Sequence, residues 1–160
     1  MARVWVGIDP GKKGALSYIV EDQPPIVRSF PKLPNGAGDF QGMVRMVRDL
    51  LEDLVDWGGM VTVAVEAIHS FPHQSCVATF TQGTYYGGIL GVVATCHVSY
   101  TLVQPKTWKA KVLLPEERKL GKPGSIQAVR RLIPGWEGAE LTDGEADAAC
   151  IAWYARHFIG

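Results

Sequence analysis

The feature that most constrains the fold is a short apolar run in the middle of the chain. Residues 61–66 read Val-Thr-Val-Ala-Val-Glu and leave no room for alternation between polar and apolar side chains. This pattern is typical of a strand that is covered on both faces, as happens when helices pack on each side of a sheet. The run therefore predicts a central strand of an α/β fold. Glu66 ends that strand, where an unpaired acidic side chain is uncommon.

The surrounding segments predict the remaining elements of a mixed sheet flanked by helices. Two segments rich in β-forming side chains are separated by the turn signal Pro10-Gly11, so we expect them to pair as a hairpin. A later segment repeats apolar side chains every three or four positions, which indicates an amphipathic helix. The predicted strands are residues 3–9, 14–20, 26–30, 61–66 and 98–103, and the predicted helices are residues 39–57, 74–97, 125–133 and 142–160.

Capping signals mark the start of the last two predicted helices. Ser125 is expected to cap the first of them, and Thr142 with Glu145 forms a capping-box pattern at the start of the second. The element order β-β-β-α-β-α-β-α-α predicts an α/β fold with a mixed sheet. The 160 residues are enough for one core, so we expect a single domain spanning residues 1–160.

Charge is balanced over the whole chain but not along it. Sixteen basic and sixteen acidic side chains cancel, so net charge gives no support to nucleic-acid binding, for which a basic excess is the usual sign. One stretch nevertheless suggests a local basic face, with an ordinary solvated surface as the alternative. The basic side chains of that stretch are Lys106, Lys109, Lys111, Arg118, Lys119, Lys122, Arg130 and Arg131.

The three cysteines suggest a reducing compartment. Cys76, Cys96 and Cys150 lie far apart among apolar residues, so we expect each to be a small core residue. The sequence has neither a secretory leader pattern nor an apolar stretch as long as a membrane span. These features predict a cytoplasmic protein.

Four carboxylates are candidates for one functional site. Asp9 and Glu66 each follow a predicted buried strand, and they end at the same edge of the sheet if those strands are neighbours. Asp143 and Asp147 are one helical turn apart and project from the same face. Taken singly, Asp9 is explained as a turn residue before Pro10, and Asp143 as an acid that favours the helix dipole. Together, the four acids indicate a cluster.

Such a cluster is suited to phosphodiester hydrolysis. Carboxylates repel one another unless cations neutralise them, and oxygen ligands favour Mg²⁺ or Mn²⁺ over softer metals. Two such ions, about 4 Å apart, activate a water molecule and stabilise the leaving oxygen of an in-line displacement at phosphorus. The sequence therefore predicts a metal-dependent nuclease.

The order of five short motifs resembles a known family. The motifs are Gly7-Ile8-Asp9-Pro10-Gly11 with Gly14-Ala15, then Val65-Glu66, Gln82-Gly83, Pro105-Lys106-Thr107-Trp108-Lys109 and Ala146-Asp147-Ala148. They stand in the order found in the RuvC-type Holliday junction resolvases of the RNase H-like superfamily. The resemblance covers nearly the whole chain, and its compact, divergent pattern favours a phage-encoded member.

The resemblance implies both the fold and the activity. It implies an RNase H-like mixed sheet flanked by helices and a homodimer that nicks two opposing strands of a four-way DNA junction symmetrically. It also implies two Mg²⁺ ions per subunit, with Mn²⁺ as the alternative, and ligatable 5′-phosphate and 3′-hydroxyl ends. Whether a branch-migration partner is needed stays open.

The resemblance also assigns roles to individual residues. Asp9 and Glu66 match the first and second metal ligands of the family, and Asp147 matches the last. Lys109 corresponds to the catalytic lysine of the family's Pro-x-x-Val-Lys stretch, and Lys122 is a looser candidate for the second catalytic lysine. Solvated surface is the alternative interpretation for both lysines.

The fourth metal ligand departs from the family spacing. In typical bacterial members it lies three residues before the last aspartate, and that position is Gly144 here. Asp143 shares the helix face of Asp147 and is our choice. Glu145 is the alternative, although a two-residue offset points it about 160° away on a helix.

The remaining assignments concern DNA and the partner subunit. An aromatic residue after the second acid helps to unstack DNA in relatives, and Phe71 is the candidate, with His69 or His73 as alternatives. A core position is the simpler interpretation of Phe71. Lys106 joins Lys109 and Lys122 as a predicted DNA-binding residue. The glycine-bearing predicted helix matches the dimer-forming region of the family.

Three other interpretations stay open. Actin-like, sugar-kinase and chaperone ATPases also begin with Gly-Ile-Asp-x-Gly, but they need a duplicated domain to enclose the nucleotide, and this chain has one. A non-catalytic DNA-binding module suits the neutral net charge, although clustered acids without a role would be costly. An RNase H-like nuclease that cuts flaps or RNA–DNA hybrids is the third.

Overall fold

A five-stranded mixed sheet organises the fold. The computed structural model describes residues 1–70 and 72–159. In chain order, the elements in these residues are β1 Arg3–Asp9, β2 Ala15–Val20, β3 Ile26–Ser29, α1 Phe40–Asp56, β4 Met60–Glu66, α2 Cys76–Thr95, β5 Ser99–Val103, α3 Pro105–Val112, α4 Pro115–Lys119, α5 Lys122–Leu132 and α6 Asp143–Phe158.

The strands lie in the order β3-β2-β1-β4-β5. The first three strands form an antiparallel meander, whereas β4 runs parallel to both β1 and β5. Ile8 of β1 lies opposite Val65 of β4. The strands that carry Asp9 and Glu66 are therefore neighbours with the same direction, and both carboxylates stand at one edge of the sheet.

The two faces of the sheet bury separate cores, because alternate side chains of a strand point to opposite faces. Val4, Val6 and Ile8 of β1 pack in the core that lies under α1 and α2. Trp5 packs in the second core, together with buried side chains of α3, α5 and α6. Coverage of both faces confirms the prediction that was made from residues 61–66.

Helix α6 lies directly against the sheet at Gly7. A Cβ atom at this position would stand 2.2 Å from the backbone nitrogen of Ala152 and 2.4 Å from the carbonyl oxygen of Ala148. Small side chains along the buried side of α6 permit the same close approach from the helix. This contact holds the first turns of α6, and with them Asp147, over the end of β1.

Side-chain caps mark the starts of α1 and α6, and the capping box predicted for α6 is confirmed. Asp39 caps α1 by accepting a hydrogen bond from the Gly42 nitrogen. In the capping box of α6, the Thr142 nitrogen donates to Glu145 Oε2 at 2.8 Å, and the Glu145 nitrogen donates to Thr142 Oγ1 at 3.3 Å. None of the helices in the described residues is both long and apolar enough to cross a bilayer. The cytoplasmic location stays a prediction.

The predicted element order is wrong between β5 and α6. The basic stretch forms two further helices, α3 and α4, of eight and five residues. Proline stands in the first turn of each, where its missing N–H group would have no helical partner. Helices this short present too few turns for apolar periodicity to reveal them.

Two predictions about single residues are also wrong. Ser125 does not cap α5, because that helix begins at Lys122, with Gly121 as its N-cap, and Ser125 is buried inside it. Cys76 is exposed at the start of α2, although the other two cysteines are buried as expected.

Candidate active site

Asp9 and Glu66 project from the face of the sheet that α6 covers. Gly7, two residues before Asp9, faces the α6 backbone, and a two-residue step returns to the same face of a strand. Ala64, two residues before Glu66, packs in the core under α6. Both carboxylates are half-buried at the carboxyl ends of adjacent parallel strands.

Asp147 completes a group of three interacting acids. The pKa of Asp9 is raised to about 6, mainly by burial and in smaller part by the charge of Asp147. The pKa of Glu66 is likewise raised to about 7, mainly by burial and in smaller part by the charges of Asp9 and Asp147. Burial is also the main cause of a raised Asp147 pKa. The three carboxylates are therefore close enough to repel one another in a poorly solvated place.

Each of these acids accepts one hydrogen bond from a fixed donor. Asp9 Oδ1 accepts from the Gly11 nitrogen at 3.1 Å, Glu66 Oε2 accepts from Trp108 Nε1 at 2.6 Å, and Asp147 accepts from the Ser125 side chain. These bonds lower the pKa values without cancelling the effect of burial. The donors orient the carboxylates but leave their combined charge largely uncompensated.

Lys109 is the cation that faces all three acids. It lies on α3, and its positive charge lowers the pKa values of Asp9, Glu66 and Asp147. Its Nζ atom lies 5.1 Å from the ring centroid of Trp108. The structure therefore brings this predicted site residue to the acids, and it does so through a helix that the sequence pattern did not reveal.

Lys122 and Asp143 form the rim of the site. Lys122 Nζ lies 3.4 Å from Asp143 Oδ2, with the side chains 83% and 47% exposed. The charge of Asp143 raises the pKa of Asp147, whereas the charge of Lys122 lowers it. Both side chains are thus near Asp147 but in a far more solvated place than the three inner acids.

The backbone at Gly144 explains why no acid stands at the family position. A Cβ atom there would lie 2.3 Å from the carbonyl oxygen of Lys13, in the turn between β1 and β2. Any side chain at this position would force α6 away from that turn. The first turn of α6 can therefore present an acid to the site from Asp143 but not from Gly144.

Glu145 is held on another side of α6. Its carboxylate accepts hydrogen bonds from Ser29 Oγ at 2.6 Å and from the Thr142 nitrogen at 2.8 Å. Burial raises the pKa of Glu145, but the hydrogen bonds from Ser29 and Thr142 outweigh this effect and leave the pKa lowered. The side chain is therefore engaged in the helix cap and in a contact with β3.

The donor set suits a hard cation but is not a preformed metal centre. Within residues 1–70 and 72–159, no three acidic, histidine or cysteine side chains stand as close together as metal ligands do. The acids at the sheet edge offer only oxygen donors, which favour Mg²⁺ or Mn²⁺. Burial and mutual repulsion both disfavour the ionised forms of these acids, and a bound cation would offset that repulsion. The chemistry fits a divalent cation, and binding one requires the side chains to move closer.

The other predicted residues lie around the inner acids or outside the described residues. Lys106, Lys109 and Arg118 line a cavity of about 360 Å³ beside the site. His69 Nε2 lies 2.5 Å from Gln104 Oε1, and this hydrogen bond connects the loop after β4 to the start of α3. Phe71 lies outside the described residues.

Sequence reasoning missed the contributions of Trp108 and Ser125. The sequence pattern shows Trp108 only as part of a motif. It does not predict helix α3, so it does not reveal that Trp108 lies on the buried side of that helix. Ser125 was interpreted as a helix cap, which would place its hydroxyl group on the α5 backbone instead of on Asp147. For Trp108, the available signal in the sequence was its position next to Lys109 in the motif.

Comparison with known proteins finds solved structures of the same fold. No family model matches the sequence, and no curated protein matches it significantly. A structure of Thermus thermophilus RuvC in complex with a Holliday junction substrate is similar over 98% of this chain and 96% of that one, with 20% identity and a TM-score of 0.62. Another Thermus thermophilus RuvC structure covers 96% and 95%, with 21% identity and a TM-score of 0.55. The RNase H-like fold implied by the motif order is confirmed.

Proposed function

We propose that the chain is a metal-dependent endonuclease that resolves four-way DNA junctions. The observation that carries this proposal is the convergence of Asp9, Glu66 and Asp147, from three elements, on one sheet edge beside Lys109. A protein of the same fold, Thermus thermophilus RuvC, has been solved with a Holliday junction substrate. In this proposal residues 1–160 act as one nuclease domain.

Four acids of this chain would hold the metal. Asp9, Glu66 and Asp147 are the inner ligands, and Asp143 is the fourth, reached from the solvated rim. Two Mg²⁺ ions per subunit, or Mn²⁺ in their place, would supply an activated water molecule and stabilise the leaving oxygen at phosphorus. The uncompensated charge of the inner acids supports this assignment.

The lysines would position the DNA backbone. Lys109 interacts with all three inner acids, so it can also bind the phosphate group of the DNA that is cleaved beside them. Lys122 is at the rim, and its ion pair with Asp143 is exposed enough to exchange for a phosphate contact. Lys106 would hold a neighbouring phosphate along the same cavity. Phe71, after β4, would unstack bases at the junction.

One face of α2 would form the homodimer interface. Val77 and Phe80 are each 78% exposed, and no described atom lies within 4 Å of a Cβ atom built at Gly87 or Gly91. We call this surface the α2 face; it comprises Val77, Phe80, Thr84, Gly87, Gly91 and Ala94, all exposed and spaced by three or four residues. Small residues let two such helices approach closely while the apolar side chains are buried.

Cleavage assays on matched substrates test the proposal. A synthetic mobile four-way junction should be nicked in Mg²⁺ or Mn²⁺, whereas linear duplex, flap and RNA–DNA hybrid controls should stay intact. Asp9→Asn and Asp147→Asn should each reduce nicking by about 100-fold or more, because each removes a charged ligand. Asp53→Asn, at an exposed position of α1, is the matched control and should cut normally. Preferential cutting of flaps or hybrids would identify a different nuclease.

A further inference from the structure

Trp108 makes an unusual contact for a core tryptophan. Its side chain is fully buried, and the indole N–H is its only conventional polar group, which can donate but not accept. The Nε1 atom lies 2.6 Å from Oε2 of Glu66, so the indole N–H donates a short hydrogen bond to this carboxyl group. A buried N–H group on α3 therefore donates its hydrogen bond to an acid at the end of β4.

The surroundings of Trp108 make it a rigid donor. The ring lies in the core under α6, to which Val103 and Val129 also belong. Because close-packed side chains cannot swing freely, the direction of the N–H group is set by the core. Glu66 has three side-chain torsions, and the bond to this fixed donor restricts them. One carboxylate oxygen is thereby held while the other stays available.

The residue at this position differs from the one in the family stretch described above. The family stretch reads Pro-x-x-Val-Lys, and Trp108 stands where that stretch has valine. Valine has no donor, so a relative of that kind cannot orient its second acid in this way. Trp108 also contacts Lys109 through its ring face, and thus joins an acid and a cation of the site.

We propose that Trp108 is a positioning residue that holds Glu66 in the orientation needed for cation binding. The inference rests on the proposed function only in that the cation is the one proposed there. Trp108 itself touches neither the cation nor the DNA. Its effect passes through Glu66 Oε2, and it should therefore alter the affinity for metal more than the affinity for the junction.

Trp108→Phe isolates the N–H group because it keeps an aromatic ring in the core. Loss of such an orienting partner typically weakens metal binding by about 10–100-fold. We therefore expect the Mn²⁺ dissociation constant, measured by calorimetry on metal-free protein, to rise by about that factor. The Mg²⁺ concentration for half-maximal nicking should rise in parallel, while the affinity for the junction without metal should stay unchanged.

Trp5→Phe is the matched control. Trp5 is also a nearly buried tryptophan of the core under α6, at 6% exposure, but its ring contacts Arg156 rather than an acid of the site. The two variants should lose similar amounts of thermal stability, and only Trp108→Phe should lose metal affinity. Equal metal affinity in Trp108→Phe and Trp5→Phe would overturn the inference.

A measurement on the unaltered protein guards against a variant that fails to fold. The chain has five tryptophans, so an NMR spectrum of the indole N–H groups contains five resonances. One of them should move on addition of Mg²⁺ and should also move in Glu66→Gln. If metal binds while none of the five moves, the inference is wrong. If metal binds and the junction is not cut, the proposed function fails, whereas the indole result still decides the role of Trp108.

Discussion

At the scale of single residues, the site combines burial with like charge. Glu66 and Asp9 are half-buried beside each other and beside Asp147, so ionising any one of them is opposed by both solvent loss and repulsion. Each is partly relieved by a single hydrogen bond. Three ionised carboxylates in this place destabilise the folded state. A cation bound between them reduces that destabilisation.

The first prediction concerns the pH dependence of stability without metal. The pKa of Glu66 is about 7 and that of Asp9 about 6 in the folded protein, above their ordinary values near 4. The folded state therefore holds these protons more tightly than the unfolded state, and stability is lost as pH rises from about 4 through about 7. Denaturant unfolding in EDTA at pH 5, 6, 7 and 8 should show this fall.

Two additions make the pH experiment specific. Glu66→Gln should raise the free energy of unfolding in EDTA at pH 8 by about 2 kcal/mol, because it removes a charge that is costly there. Mg²⁺ at pH 8 should stabilise the unaltered protein by binding to the folded state. A stability in EDTA that rises between pH 5 and pH 8 would contradict the electrostatic account of the acids.

A second prediction separates the two candidates for the fourth ligand. Asp143→Asn should abolish most metal-dependent cutting with little change in stability, because Asp143 is exposed at the rim. Glu145→Gln should keep cutting and lose about 1 kcal/mol of stability, since it weakens the capping box and the bond from Ser29. If only Glu145→Gln stops cutting, the choice of Asp143 is wrong.

At the scale of elements, close backbone contact helps to place α6. Gly7 lets the helix rest on β1, and Gly144 lets its first turn rest on the turn between β1 and β2. These two contacts set where Asp147 points. Helix α3 brings Lys109 and Trp108 to the same place. The site therefore depends on the contact at Gly7, the contact at Gly144 and the packing of α3.

The third prediction tests the contact at Gly144. Gly144→Asp restores an acid at the family spacing, yet we expect it to destabilise the protein by about 2 kcal/mol or more, because its Cβ atom would overlap the carbonyl oxygen of Lys13. It should also fail to rescue cutting in Asp143→Asn. Gly138→Ala, where no described atom lies within 4 Å of the added Cβ, is the control and should be nearly neutral. Rescue without loss of thermal stability would contradict this packing.

At the scale of the whole molecule, the proposed activity needs two sites that act together. A subunit with one active site can nick one strand. Symmetric nicking of two strands requires a second copy of the chain in a fixed orientation relative to the first. The α2 face is the exposed apolar surface that the proposal assigns to this contact. In this proposal the acids lie on α6 and the apolar side chains of the interface lie on α2, so cleavage and dimerisation would use different helices.

The fourth prediction concerns this interface. Phe80→Glu should convert a dimer into a monomer at micromolar concentration, since it places a charge in the buried centre of the proposed contact. Gel filtration with light scattering measures the mass, and cutting should then produce isolated rather than paired nicks. Trp57→Glu changes another exposed apolar side chain, on the C-cap of α1, and should stay dimeric. An unaltered chain that is monomeric would contradict the dimer.

Much of this architecture was predictable from the sequence, because its long elements have strong local patterns. Strands β1 and β4 are continuous apolar runs, and α1 carries a regular stripe. Contacts that depend on three-dimensional packing were not predictable: the helical state of α3, the donor that Trp108 supplies to Glu66, and the bond from Ser125 to Asp147. A lone tryptophan or serine has no periodicity to interpret.

Mapping the nick positions on a four-way junction shows whether the chain is a junction resolvase. Each of the four strands is labelled in turn, and the unaltered protein is incubated with Mg²⁺ and with EDTA. We predict paired nicks at symmetric positions on two opposing strands in Mg²⁺, with 5′-phosphate and 3′-hydroxyl ends, and no nicks in EDTA. Hydrolysis of ATP without nicking of any strand, or equal nicking in EDTA, would contradict it.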